Sequence, residues 1–153
     1  MTSRFGNLVA LVGLGISLVA VGCGGEKDDG PPTYPVKGQI IVKNGDVKSL
    51  VGGYVRLVSM ADSKVVGVGE IQDDGTFGVG TFVDGKPRGG LPEGEYRTRV
   101  EPPGSGEQDP GDQPPPSRKG GLLPKYQKYE TSGLKYAIKP GENAITVEVE
   151  VRR

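Results

Sequence analysis

Histidine and tryptophan are missing from this chain, and cysteine occurs once, at Cys23. Without histidine, neither a Ser-His-Asp triad nor a Cys-His pair can be assembled. A zinc site lacks its usual ligands for the same reason, and a single cysteine cannot form an internal disulfide bond. The composition therefore argues against hydrolases of these classes before any motif is considered.

An excess of charge of one sign is also missing, because Lys and Arg number 19 and Asp and Glu number 19. Such a balance gives no reason to expect a nucleic-acid partner. The acids would allow a glycosidase-like carboxylate pair, but most fall in turns or on polar strand faces, and aromatic residues that could form a sugar platform are few. We predict no catalytic residues, no cofactor and no metal site.

Long stretches without glycine or proline are rare, since 27 glycines and 13 prolines make up about a quarter of the 153 residues. Both residues interrupt helices, which disfavours a helix bundle. The length suits one domain with appendages. An all-β domain with many turns fits these limits best.

The N-terminal residues 1–22 have the features of a secretory signal peptide. Arg4 and the amino terminus supply positive charge, and an apolar stretch of 14 residues runs from Leu8 to Val21. This stretch is shorter than the about 20 residues that a membrane-spanning helix needs, and it suits the apolar region of a signal peptide.

The signal ends in Ala20-Val21-Gly22-Cys23, which resembles the lipobox of bacterial lipoproteins. The resemblance implies cleavage between Gly22 and Cys23 and a diacylglyceryl thioether on Cys23. Small residues fit the narrow site of the signal peptidase, and a thiol is the soft nucleophile that lipid transfer requires. Ala20 departs from the leucine most often found three positions before the cysteine.

Two alternatives stay open for this segment. A secretory signal cleaved elsewhere would leave Cys23 as a free thiol, and an uncleaved signal would itself be the anchor. The polar run from Gly24 to Asp29 follows at once and disfavours the second alternative. With lipid on Cys23, we expect the protein at a membrane of the cell envelope, with its domain outside the cytoplasm. Gly24 does not decide between the inner and the outer membrane.

Residues 23–35 are rich in glycine, proline and charge, which predicts a flexible tether. From 36 to 152, short segments alternate apolar and polar residues between turns, as half-buried strands do. The last two segments are expected to form a hairpin across Pro140–Asn143. This pattern predicts an antiparallel β-sandwich. The apolar positions are Val36, Ile40, Val42, Val55, Leu57, Val66, Val68, Phe77, Val79, Val83, Tyr96, Val100, Tyr136, Ile138, Ile145, Val147, Val149 and Val151.

Residues 102–119 interrupt this pattern with six prolines and three glycines. Proline cannot donate to a sheet ladder, so the segment is predicted to be a disordered loop within the domain. A solvated excursion is the simpler interpretation. The alternative is a polyproline II ligand for a partner protein.

Two charged motifs invite a functional interpretation. Asp73-Asp74-Gly75 has hard oxygen ligands for calcium, but Asp-Gly is also a common turn, and the turn is favoured. Arg97 and Arg99 lie on the same side of a strand and could meet an anionic partner. A solvated face paired with nearby acids is the favoured interpretation of the arginines.

Six segments recur in the order typical of a known domain: Tyr34–Ile40, Asp73–Phe77, Leu91–Tyr96, Leu123–Tyr126, Thr131–Leu134 and Pro140–Asn143. Together they resemble the carboxypeptidase-regulatory-like or transthyretin-like β-sandwich of small bacterial lipoproteins. The resemblance implies a prealbumin-like Greek-key sandwich of about seven strands and no peptidase activity. We therefore expect a non-enzymatic lipoprotein with a structural or protein-interaction role, or alternatively one that binds a glycan or a peptide.

Overall fold

The structure, a computed structural model, describes residues 30–83, 85–105 and 121–152. These residues form an all-β domain, and the two short 3-10 helices, Val47–Ser49 and Pro124–Gln127, lie in loops. No helix among the described residues is long and apolar enough to cross a membrane. The strands are β1 (Thr33–Tyr34), β2 (Val36–Lys43), β3 (Tyr54–Ser59), β4 (Val66–Glu70), β5 (Thr76–Val83), β6 (Lys86–Gly89), β7 (Leu91–Pro92), β8 (Gly94–Glu101), β9 (Leu134–Ile138) and β10 (Asn143–Glu150).

The strands follow one continuous hydrogen-bonded path, β10-β2-β5-β4-β3-β8-β9, with β6 attached to β5. Strand β5 joins two groups of strands, because residues 76–79 pair with β2 while Gly80 and Thr81 pair with β4. The ends of the path approach each other where the Tyr136 hydroxyl donates to the Thr146 carbonyl at 2.7 Å. A separate small ladder joins β1 to β7.

The predicted hairpin across Pro140–Asn143 is wrong. Strand β9 pairs with β8, and β10 lies parallel to β2, so the domain is not fully antiparallel. The Asn143 side chain explains why the chain passes from β9 to the side of β2 instead of folding back on β9. It accepts from the Lys139 N–H and donates to the carbonyls of Lys139 and Gly141, which fixes the connection between the two strands. The Asn143 N–H then bonds the Pro35 carbonyl at 2.9 Å, which starts β10 beside β2.

One hydrophobic core draws side chains from both groups of strands. The predicted inward positions of β2, β3, β5, β8 and β10 are confirmed at Val36, Leu57, Phe77, Val100 and Val149, all of which are buried. Since the alternation of these strands predicted the buried face, the hydrophobic pattern accounts for most of the core.

Strand β4 is the exception, because its predicted core positions Val66 and Val68 are only half-buried while Gly67 and Gly69 face inward. A Cβ placed on Gly67 would lie 2.6 Å from Cδ2 of Leu91 and 2.7 Å from Cγ1 of Val79. Large side chains from neighbouring elements therefore fill the space above β4, and only glycine fits beneath them.

The ladder registers define two ends of the domain. We call the end where the described chain begins at Gly30 the proximal end, and the opposite one the distal end. Strands β3, β5 and β9 run toward the proximal end, which contains Gly30, Met60, Val83, Gly94 and Ile138. Strands β2, β4, β8 and β10 run toward the distal end, which contains Lys43, Glu70, Glu101, Glu150 and the Asp73–Gly75 turn.

The described part of the chain includes residues 30–35, the last part of the predicted tether 23–35. Thr33 and Tyr34 pair with Pro92 and Leu91 as β1. The Arg88 guanidinium donates to the Pro31 carbonyl at 3.3 Å, and Gly30 lies against the Val83 side chain. The last residues of the predicted tether are therefore docked on the domain.

Candidate functional site

The predicted lipidation and cleavage residues, Cys23 and Gly22, lie outside the described residues, as do the rest of the predicted signal peptide and residues 23–29 of the predicted tether. Of the predicted loop 102–119, only Pro102–Ser105 is described, where Gly104 has a φ of 77° and Ser105 donates back to the Pro102 carbonyl.

Asp73-Asp74-Gly75 forms the turn between β4 and β5, as favoured from the sequence. Gly75 has a φ of 80°, and the Asp74 carboxylate accepts both the hydroxyl and the N–H of Thr76, at 2.6 and 2.9 Å. These bonds, the hydroxyl first, lower the pKa of Asp74. The carboxylate thus closes the turn, and no cluster of three or more metal-binding side chains occurs within 30–83, 85–105 and 121–152.

The outer side of β3, β8 and β9 carries a concentration of positive charge, which we call the arginine face: Arg56, Arg97, Arg99, Glu101 and Lys135. Strand register places Arg56 directly opposite Arg99, and Arg97 directly opposite Lys135. Like charges in directly opposed positions destabilise a sheet unless a counter-charge lies between them.

Glu101 supplies that counter-charge for one pair of arginines. Its carboxylate meets Arg56 Nε at 2.8 Å and Arg99 Nη2 at 2.5 Å. The Arg99 guanidinium also lies over the Tyr129 ring, 4.9 Å from its centre, where the ring quadrupole attracts it. With a side chain only 16% exposed, Glu101 is partly shielded from water, and this strengthens both ion pairs.

The other like-charged pair has no such neutralisation. Neither the Arg97 nor the Lys135 side chain forms an ion pair or a hydrogen bond with another residue in the parts of the chain that the structure describes. Nε of Arg97 is moreover buried without a hydrogen-bond partner among those residues. A guanidinium and an ammonium side by side attract a carboxylate, sulfate or phosphate group.

The surface near this pair is shallow. A depression of about 240 Å³ is lined by Glu95, Lys135, Tyr136 and Ala137, and a second of about 240 Å³ by Pro35, Lys37 and Glu142–Ala144. Pockets for small molecules usually enclose about 300–1,000 Å³. Contact with a partner's surface or an extended polymer suits these shallow depressions better than capture of a small molecule.

The sequence places Arg97, Arg99 and Glu101 on one side of a strand, but it does not identify Arg56, Lys135 and Tyr129 as their neighbours. The period-two pattern shows which residues share a side of one strand. It does not show which strands are neighbours, and that pairing is what brings these six residues together.

Comparisons with known proteins give a limited result. No family model matches the chain, and no curated protein matches it. A DUF3823 family protein from Parabacteroides merdae is similar in structure, with a TM-score of 0.42, 16% identity and coverage of 80% of this chain. A pilus-presented adhesin, Cpa, gives a TM-score of 0.29 and 15% identity over 80% of this chain. The chain spans 47% and 28% of the lengths of these two proteins.

Proposed function

We propose that this protein is a non-enzymatic lipoprotein of the cell envelope, held to a membrane by lipid on Cys23 and carrying an interaction domain outside the cytoplasm. The observation that carries the proposal is that the segment leading from Cys23 and the 106–120 segment join the domain at opposite ends. The chain arrives from Cys23 at the proximal end, where Gly30 lies against Val83. The 106–120 segment joins the domain at the distal end, since Leu122 bridges to Val151 and Ser105 follows the end of β8.

This arrangement suits a display role. An anchor at one end leaves the opposite end, with the proline-rich segment attached to it, directed away from the bilayer. It also leaves the arginine face along the side of the domain, open to a partner. The partner that we propose first is another protein of the envelope.

For the fold, we infer a prealbumin-like Greek-key β-sandwich. In a Greek key, three consecutive antiparallel strands are followed by a fourth that returns beside the first. Strands β3, β4 and β5 are consecutive and antiparallel, and β8 returns to lie antiparallel beside β3. The spatial order β8-β3-β4-β5 supports the inference.

The lipid anchor is tested by replacing Cys23 with serine, which removes the sulfur that would carry the lipid. We expect the native protein to fractionate with envelope membranes and to resist washing with salt, and Cys23→Ser to appear in the soluble fraction. Ala20→Leu, which gives the more common lipobox residue, is the matched control and should remain in the membrane. An unmodified Cys23 in the mass spectrum of the mature protein would contradict the proposal.

A second candidate function, binding of an acidic glycan or peptide, is favoured by one observation: Arg97 and Lys135 oppose each other, and neither side chain forms an ion pair among the described residues, although Glu95 lies in the same depression as Lys135. An anionic group between the two side chains would relieve their repulsion. The shallow depression beside Lys135 leaves room for an extended chain.

Sulfated glycan and polyglutamate binding, measured by calorimetry, tests this second candidate. Arg97→Ala is expected to weaken binding about ten- to a hundredfold, since a hydrogen bond to a charged group contributes about 1.5–3 kcal/mol. Lys48→Ala, at an exposed lysine of the Val47–Ser49 helix, is the matched control and should change affinity little. Equal losses from both variants would mean that the polymer binds by overall charge rather than at the arginine face.

A further inference from the structure

Phe82 is the most exposed of the large apolar side chains in the described part of the chain, with 70% of its surface open to water. It lies near the tip of the hairpin formed by β5 and β6, and the exposed Pro87 stands directly opposite. On the other side of the hairpin, Val83 is opposite Lys86. The hairpin therefore presents an apolar ring and an apolar proline beyond the edge of the core.

The hairpin tip belongs to the proximal end, beside the point where the chain arrives from Cys23. Gly30 lies so close to it that a Cβ on this glycine would be 2.7 Å from Cγ1 of Val83. The Arg88 guanidinium of β6 holds the next part of the chain through the Pro31 carbonyl. Met60, 45% exposed, lies at the same end, since its N–H bonds the Glu95 carbonyl next to Gly94.

Covalent geometry limits how far this end can stand from the lipid. Seven residue steps separate Cys23 from Gly30, and an extended chain spans at most about 3.6 Å per residue, or about 25 Å in all. Because Gly30 packs on the hairpin, the same reach constrains Phe82. The outer layer of a bilayer, beyond its hydrocarbon core, is itself about 5–8 Å thick.

We infer that the tip of the β5–β6 hairpin is a second membrane contact, in which Phe82 enters the interfacial layer of the bilayer that holds the lipid of Cys23. The inference rests on the proposed lipid anchor. An aromatic ring gains by leaving water for this layer, and the anchor keeps it near the surface, so the contact forms within one complex and needs no separate encounter.

Apolar burial rather than charge is expected to hold this contact. The proximal end carries exposed residues of both signs, Lys64, Lys86 and Lys139 together with Asp62, Glu93 and Glu142. Such a mixture offers no net attraction to anionic headgroups. The contact should therefore persist when salt screens electrostatic interactions.

The absence of tryptophan from the sequence allows a direct test. Phe82→Trp, made in the full lipidated chain, introduces a single indole at the proposed contact. In vesicles of phosphatidylethanolamine and phosphatidylglycerol with brominated acyl chains, its fluorescence is expected to shift to the blue and to be quenched at least about twofold, at low and at high salt. Tyr54→Trp is the matched control, because Tyr54 is 40% exposed but lies at the distal end opposite Glu101; it should not be quenched.

A second variant measures the energetic consequence. Phe82→Ser should speed the transfer of the lipidated protein between vesicles about tenfold, which is the change expected for losing a partly buried phenyl ring. The same substitution in the Cys23→Ser background should leave the protein soluble and folded, since the ring contributes little to the core.

The outcomes separate the two proposals. Quenching of Phe82→Trp alone supports the contact. Anchored protein in which neither indole is quenched overturns the contact and leaves the lipid anchor intact. Shielding of the Phe82→Trp indole that requires an added envelope protein, and not the bilayer, also overturns it. Failure of the native chain to fractionate with membranes removes both proposals.

Discussion

The Gly90→Ala variant is expected to lose roughly 3 kcal/mol of the free energy of unfolding. Gly90 has a φ of 84°, and its N–H donates to the Val79 carbonyl at 2.8 Å. A Cβ at this position would lie 1.9 Å from the Tyr34 carbonyl oxygen and 2.4 Å from its carbon. Since backbone atoms cannot rotate away as a side chain can, β1 would have to leave β7.

Urea unfolding followed by circular dichroism measures this loss. Gly85→Ala is the matched control, because Gly85 has a similar φ of 77° but nothing within 4 Å of its Cβ position. That variant should cost only about 1 kcal/mol, the conformational penalty for a non-glycine residue. Similar losses in both variants would show that the clash with Tyr34 is relieved without disturbing β1.

The Gly90 substitution is also expected to affect the proposed membrane contact, because β1 carries the residues that follow Gly30. If β1 is released, Gly30 is no longer held against Val83, and the reach from Cys23 to the domain grows by several residues. The orientation of the proximal end would then be lost even though the lipid remained. Gly90→Ala should therefore reduce bilayer quenching in the Phe82→Trp background more than Gly85→Ala does.

The sequence predicted the inward faces of most strands because burial follows a period of two. At β10 the alternation of Ile145, Val147 and Val149 identified the buried side correctly. It could not identify the neighbour, because the pattern is the same whether the partner is β9 or β2. The partner depends on the Asn143 side chain and its bonds across the turn, a local geometry that residue type alone does not specify.

Strand β4 shows a second limit of sequence reasoning. An apolar residue is ordinarily assigned to the core, so the sequence predicts Val66 and Val68 there rather than Gly67 and Gly69. The structure reverses this because Phe77, Val79 and Leu91 project over β4 and occupy the available volume. The size of the residue that fits at one position is decided by distant residues, and close packing makes that dependence strict.

For the candidate sites, the sequence and the structure contribute in different ways. The lipid site at Cys23 rests on a contiguous motif and is a prediction from sequence alone. The arginine face required three residues from outside the pair that the sequence singled out, Arg56, Glu101 and Lys135, and two ladders bring Arg56 and Lys135 beside β8. For Phe82, the alternation places the ring on the side opposite Val79 and Val83, but only the structure shows that no other element among the described residues covers it and that 70% of its surface is exposed.

Replacing Tyr96 by alanine is the second large effect expected. The side chain is 1% exposed and belongs to the core, so truncation should cost about 3–5 kcal/mol. Its hydroxyl donates to the Pro92 carbonyl at 2.9 Å and closes the bend between β7 and β8. Tyr96→Phe keeps the ring and removes only this bond, for which about 1 kcal/mol is expected. Tyr54→Phe, at an exposed position, should be nearly neutral.

The free energy of unfolding, measured as a function of pH in the alkaline range, distinguishes the role of the Tyr96 hydroxyl from that of its ring. Burial raises the pKa of Tyr96 to about 12, against about 10 for an unperturbed tyrosine. Because the pKa is raised in the folded state, the neutral Tyr96 hydroxyl contributes its full stabilisation below a pH of about 10, and this contribution is lost as the pH rises toward 12. Phenylalanine has no proton to lose, so the deficit of Tyr96→Phe in urea unfolding should shrink across this interval. A deficit that stays constant from neutral pH to the alkaline limit would mean that the Tyr96 hydroxyl ionises equally well in the folded and unfolded chains.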